Sequence, residues 1–164
     1  MAEHKALDIY LNDHLAGATG ACELVQRLQT ENEGTALGKF LAELTGDIQE
    51  DRQTLEDLMD RLGTTKSPVK QAATLVMEKL SRIKLIGSFS AQTDLSRLLA
   101  LETLYLGVEG KCCLWRALKQ VAGEYPSMAS TDFDVLINRA EAQKSRLEQE
   151  RSAAATVLAP AASA

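Results

Sequence analysis

Two long stretches of the chain place apolar residues at alternating steps of four and three, a spacing that admits little besides helices packed side by side. The first seam runs Leu7, Leu11, His14, Ala18, Ala21, Val25 and Leu28; the second runs Leu37, Leu41, Leu44, Ile48, Asp51, Leu55, Leu58 and Leu62. Each is interrupted once by a polar side chain, His14 in the first and Asp51 in the second. A polar group on a seam that should face other helices has to find a partner inside the fold, because an isolated buried charge is costly.

The rest of the chain extends the helical pattern. Its three prolines, Pro68, Pro126 and Pro160, all fall at boundaries, so nothing breaks the segments between them. The pattern predicts an all-α chain with a first helix over 5–32 and a second from Gly34 to Gly63. Ser67 followed by Pro68 reads as the cap of a shorter third helix carrying Val69, Ala73, Val76, Leu80 and Ile83 and ending at Gly87. After a loop SFSAQ, Thr93 or Asp94 opens a strongly apolar fourth helix to Val121. After a second loop, AGEYPSMAS, a fifth runs from Ser130 or Thr131 to Leu158, with Asp132 and Asp134 in its first turn. Residues 1–158 then form one domain and 159–164 a flexible tail.

Composition narrows the function classes. A net charge of −5 with no cluster of Lys and Arg disfavours nucleic acid and anionic membranes as partners. The opening MAEHKALDIY has no apolar signal core, and no run approaches the roughly 20 apolar residues of a membrane span. Cys22, Cys112 and Cys113 read as free thiols, the adjacent pair being ordinary buried ones, which suits a reducing cytoplasm.

Register arithmetic brings the polar residues together. In an antiparallel hairpin turning near residue 33, His14 lies level with about residue 52 and so faces Asp51. The second hairpin, turning near residue 126, sets Glu109 level with about Lys144 and Glu102 level with about Arg151. Both basic residues fall on a seam of Phe133, Ile137, Ala140, Lys144, Leu147, Arg151, Ala154 and Leu158, and Glu23 lies near the height of Glu102. The expectation is a bundle with a polar centre in which acidic and basic side chains pair.

Four helices of about 28 residues, each roughly 42 Å long, bracket one short helix, and in this order and length the chain resembles the ferritin-like superfamily. The resemblance implies an antiparallel four-helix bundle of helices 1, 2, 4 and 5, with helix 3 as a crossover that makes helices 2 and 4 parallel. Metal-bearing members of that superfamily hold two ions with a Glu from each of two helices and a Glu-x-x-His from each of the others. This sequence has no Glu-x-x-His. Its nearest approaches are Glu102-Thr-Leu-Tyr105 and Glu109-Gly-Lys-Cys112, while Glu50 and Asp51 lack a following histidine. Lys144 and Arg151 bring positive charge to the heights where cations would sit and look like substitutes for metal.

The leading expectation is therefore a binding or scaffold protein, dimeric and not an enzyme, whose charge-paired interior replaces the di-metal site and which carries no cofactor. A rival is an iron or manganese oxidase or storage bundle using His14, Glu23, Asp51, Glu102 and Glu109 as unusual ligands. A third has Lys144 and Arg151 gripping a small anion. His14 reads either as a core histidine hydrogen-bonded to Asp51 or as a ligand or proton-transfer group. Tyr105 reads as core or as an acid group, and Trp115 as a packing anchor. Gly17, Ala18, Gly20 and Ala21, with Gly107 and Gly110, would let helices approach closely.

Overall fold

The computed structural model describes residues 5–67 and 89–160. They form four helices, α1 (Lys5–Glu31), α2 (Ala36–Leu62), α3 (Phe89–Val121) and α4 (Phe133–Ala154). Short 3-10 turns at Ala122–Glu124, Pro126–Met128 and Ala155–Leu158 complete the described secondary structure. The third helix expected over Ser67 to Gly87 lies outside the described residues, apart from Ser67 itself. No described helix is long and apolar enough to cross a membrane.

The helix ends follow from local chemistry. The Gly38 N–H donates to Thr35 Oγ1 at 3.0 Å, making Thr35 the N-cap of α2. At its other end Gly63 takes a φ of 70°, and N–H groups of Gly63 and Thr64 donate to the carbonyls of Asp60 (3.1 Å) and Met59 (3.0 Å). Asp132 is the cap of α4 rather than a first-turn residue: its Oδ1 accepts from the N–H groups of Asp134 and Val135, both at 3.1 Å. That cap starts the helix at Phe133, later than Ser130 or Thr131, and the α-helix gives way to a 3-10 turn after Ala154 instead of continuing to Leu158. The expected loop SFSAQ is likewise corrected, since α3 already begins at Phe89; the stretch contains neither Gly nor Pro to stop a helix growing backwards.

Neighbouring helices run antiparallel throughout. The segment after α2 is tied to the start of α1, with Ser67 N–H donating to Asn12 Oδ1 (2.7 Å) and Thr64 Oγ1 to Asp8 Oδ1 (2.9 Å). Between α2 and α4, Arg61 donates to Ser130 (3.0 Å) and Thr131 (2.9 Å), while Arg139 pairs with Glu50 and Arg146 with Glu43. Leu28 of α1 lies beside Ser96 and Ala100 of α3, and Gly17 borders the same space as Gly107 and Lys111. With α1 antiparallel to both, α2 and α3 run in the same direction. The ends that residues 63–88 join therefore lie at opposite ends of the bundle.

The shared core is built from leucines of α1, α2 and α3 around Trp115, with Phe133, Leu136, Ala140 and Leu147 from α4. The seam predicted for α2 is accurate: Leu41, Leu44, Ile48, Asp51, Leu55 and Leu58 are all buried. On α4 the inward face is Phe133, Leu136, Ala140, Gln143 and Leu147, one residue out of phase with the prediction at every second step. Phe133, Ala140 and Leu147 belong to both phases, so the apolar pattern alone could not separate Leu136 from Ile137, or Gln143 from Lys144.

The α1–α2 turn supplies a close backbone approach that demands glycine. A Cβ on Gly38 would lie 2.1 Å from the Asn32 carbonyl oxygen. That carbonyl is held in place by Thr35 Oγ1, which donates to it at 2.7 Å, and Asn32 itself is buried. Gly17 is the opposite case, because a Cβ there meets nothing within 4 Å. Gly38→Ala should therefore cost about 1–3 kcal/mol by overpacking, whereas Gly17→Ala should stabilise by about 0.5–1 kcal/mol through helix propensity. Urea unfolding followed by circular dichroism measures both; equal effects of the two changes would contradict this account of the turn.

Candidate functional site

Asp51 is the most deeply buried charged side chain described, only 3% exposed, and its surroundings define the polar centre. Its carboxylate projects from the α2 seam toward α3 and α4. Lys111 of α3 donates to Asp51 Oδ2, and Gln143 Nε2 of α4 donates to the same oxygen at 2.9 Å. Lys111 Nζ also donates to Gln143 Oε1, closing a three-residue ring across three helices. Arg139 forms an ion pair with Asp51 Oδ1, without an aligned hydrogen bond, and donates to Glu50. Burial works against the Arg139 charge, but Asp51 and Glu50 outweigh it and its pKa is raised.

Beside this network lies a cavity of about 220 Å³ between α1, α2 and α3. The apolar part of its wall includes Ile48, Leu55, Leu114 and Trp115, and its polar part is Asp13, His14, Asp51, Arg52 and Lys111. Three glycines on its border, Gly17, Gly107 and Gly110, have no atom within 4 Å of where a Cβ would stand. They leave room rather than permitting close helix packing, which corrects the role expected of them. Trp115 is a packing anchor at 1% exposure, yet its Nε1 is buried without a hydrogen-bond partner.

His14 and Asp51 border this one cavity, but they do not bond to each other. The carboxylate is engaged by Lys111, Arg139 and Gln143, while the imidazole meets Tyr10 edge-on with ring centroids 4.6 Å apart. The Glu109–Lys144 pair forms at 2.8 Å and Glu102–Arg151 at 3.5 Å, as the register arithmetic sets them. They do not sit in a dry centre. Glu102 is 41% and Arg151 27% exposed, and both pairs line the outer seam of α3 and α4, the basic residues being shared with Glu141 and Glu148. Hydrogen bonds to Glu109 and Glu141 push the Lys144 pKa up, and bonds to Glu148 do the same for Arg151. Both cations are thus already occupied by carboxylates.

Glu23 is exposed on α1, and Tyr105 is half-buried against the core. Cys112 is buried and burial raises its thiol pKa, as it does for Cys22; Cys113 is exposed, correcting the expectation that the adjacent pair is buried together. Successive helical side chains diverge by about 100°, so burial of one turns the other outward.

These positions do not fit a di-metal centre. Asp51 is bound by two cationic side chains, Glu102 and Glu109 face Arg151 and Lys144 at the surface, and His14 stands against Tyr10. Among the described residues no three His, Cys, Asp or Glu side chains converge where an ion could be held. The groups that do form the polar centre, Lys111, Arg139 and Gln143, escaped the sequence reading. Moving the α4 seam by one residue turns Gln143 inward, and that shift was the available signal. Lys111 gave none, standing in a run of otherwise mixed small and apolar residues.

Compared with protein-family models, curated proteins and solved structures, the chain matches none.

Burial lowers the His14 pKa below its ordinary 6.5, with the Asp13 carboxylate pulling it partly back. Tyr10 and Asp13 flank it on α1, Asp51 and Arg52 face it from α2, and Lys111 from α3. The folded state therefore releases this proton more readily than the unfolded chain. The stability it contributes is complete above the unfolded value and is lost as pH falls through that value toward the folded one. Between about pH 7.5 and about pH 5.5, the melting temperature of the wild type should fall more than that of His14→Gln. Parallel curves for the two proteins would contradict a half-buried, neutral imidazole.

Proposed function

We propose that this chain is a non-catalytic binding protein built as a ferritin-like bundle. In this reading the Asp51, Lys111, Arg139 and Gln143 network takes the place that a di-metal centre holds in metal-bearing bundles, and the adjoining cavity receives a small molecule. The antiparallel neighbours and the parallel pair α2 and α3 support the ferritin-like arrangement, since that direction requires a connection spanning the length of the bundle. The free thiols, two of them buried, suit a reducing cytoplasm.

The observation that carries the reading is the cavity of about 220 Å³ whose border holds three glycines with open space beside them. A solvent-accessible space between three helices, with polar groups at one side and apolar wall at the other, is the usual composition of a ligand pocket. Asp51 and Lys111 are engaged with each other and with Gln143, which leaves neither of them free to act as a nucleophile or general base. An anion held by Lys144 and Arg151 is disfavoured, because four carboxylates already occupy them.

Two measurements on protein purified without chelator test this. Metal analysis should find far less than one equivalent of iron or manganese. A thermal-shift screen of small molecules spanning neutral, anionic and cationic rings should raise the melting temperature of the wild type and not of Gly107→Leu, in which a side chain fills the cavity. About two equivalents of metal, or ligand responses unchanged in Gly107→Leu, would contradict the proposal.

A further inference from the structure

The charged side chains around the cavity are already matched. Asp51 is held by Lys111, Arg139 and Gln143, and Arg52 is paired with Glu56 at 2.9 Å. Asp13, the remaining charged group, is exposed to solvent at the rim. An anionic ligand would have to break one of these pairs or leave its charge uncompensated against an apolar wall, and a cationic one would find only the solvent-screened Asp13 carboxylate at the rim, a contact worth little.

What remains unmatched is neutral. His14 makes no hydrogen bond among the described residues, and an uncharged imidazole offers one donor and one acceptor. The indole N–H of Trp115 is also without a partner, but the atom is sealed inside the core and presents no surface to the cavity, which leaves His14 as the one open group. A volume of about 220 Å³ is enough for one small ring system. Aromatic and branched side chains line it, which favours a flat apolar body over a polar one.

We propose that the ligand of this cavity is an uncharged, compact ring compound bearing a single hydroxyl or N–H group, seated against Trp115 and hydrogen-bonded to His14. The proposal rests on reading the cavity as a binding site and specifies the chemistry it accepts. The neutral ring displaces cavity water from the apolar wall, and its one polar group meets the one open side chain. The charge network behind it stays intact.

The sequence contains one Trp, so 15N-labelled protein has a single indole N–H cross-peak, and that peak reports directly on the cavity wall. We would titrate the full chain with 4-methylphenol, benzoate and benzylammonium. The phenol should shift the peak saturably, with the two ions at least about ten-fold weaker, a difference of about 1.4 kcal/mol. His14→Phe should weaken the phenol by about three- to ten-fold, while His14→Gln, which keeps a donor and an acceptor, should stay near wild type; Gly107→Leu should abolish the shift. Tighter binding of either ion, or equal binding of the phenol by wild type and His14→Phe, would overturn the ligand class while leaving the site standing. A peak unmoved by all three compounds would overturn the site as well.

Discussion

A carboxylate placed on an otherwise apolar helix seam governs the arrangement of this bundle. Asp51 could not remain buried and charged without compensation. The compensation comes from two other helices, as Lys111 from α3 and Gln143 and Arg139 from α4. Apolar packing is tolerant of small rotations and slips, since leucines can fill similar space in several registers. A directed set of hydrogen bonds and an ion pair on one buried carboxylate is not. It ties the rotation of α3 and α4 to the height of residue 51 on α2, and so sets how the two hairpins meet.

The cavity follows from the same constraint. Lys111 meets Asp51 at one side of the cavity, and across it α1 presents Asp13, His14, Gly17, Ala18 and Ala21. Small residues facing a long side chain that bends away leave unfilled volume, and Gly107 and Gly110 on α3 enlarge it. A methyl group added at Gly17, Gly107 or Gly110 would meet no other atom within 4 Å. The chain thus combines a network that closes the centre with a wall that keeps one side of it open.

Much of the fold could be read from residue spacing, above all from the four-three seam of α2, whereas on α1 the buried face takes Leu15 and Cys22 where the expected seam had His14 and Ala21, both only part-buried. The seam of α2 was legible to the residue, including Asp51. The site was legible only in part. Register arithmetic paired Glu109 with Lys144 and Glu102 with Arg151, since height along a hairpin depends on residue counts. It could not tell inside from outside, which depends on helix rotation. On α4 the residues common to both phases, Phe133, Ala140 and Leu147, hid the choice between Gln143 and Lys144, and the choice put the polar centre one residue away from where it lies. His14 was correctly placed near Asp51, but which partners a carboxylate takes depends on helices far away in sequence. The same limit applies to the glycines: small residues mark both close contacts and open walls, and only the opposing surface distinguishes Gly38 from Gly17.

The most direct test of the central interaction is a double-mutant cycle between Asp51→Asn and Lys111→Met, with stability measured by denaturant unfolding. If one buried charge network sets the bundle, the two changes should be strongly non-additive, with a coupling energy of about 1–3 kcal/mol. The same cycle on Glu102→Gln and Arg151→Met, at the exposed α3–α4 seam, should be close to additive. Additive effects at Asp51 and Lys111, or coupling confined to the outer pair, would contradict the account.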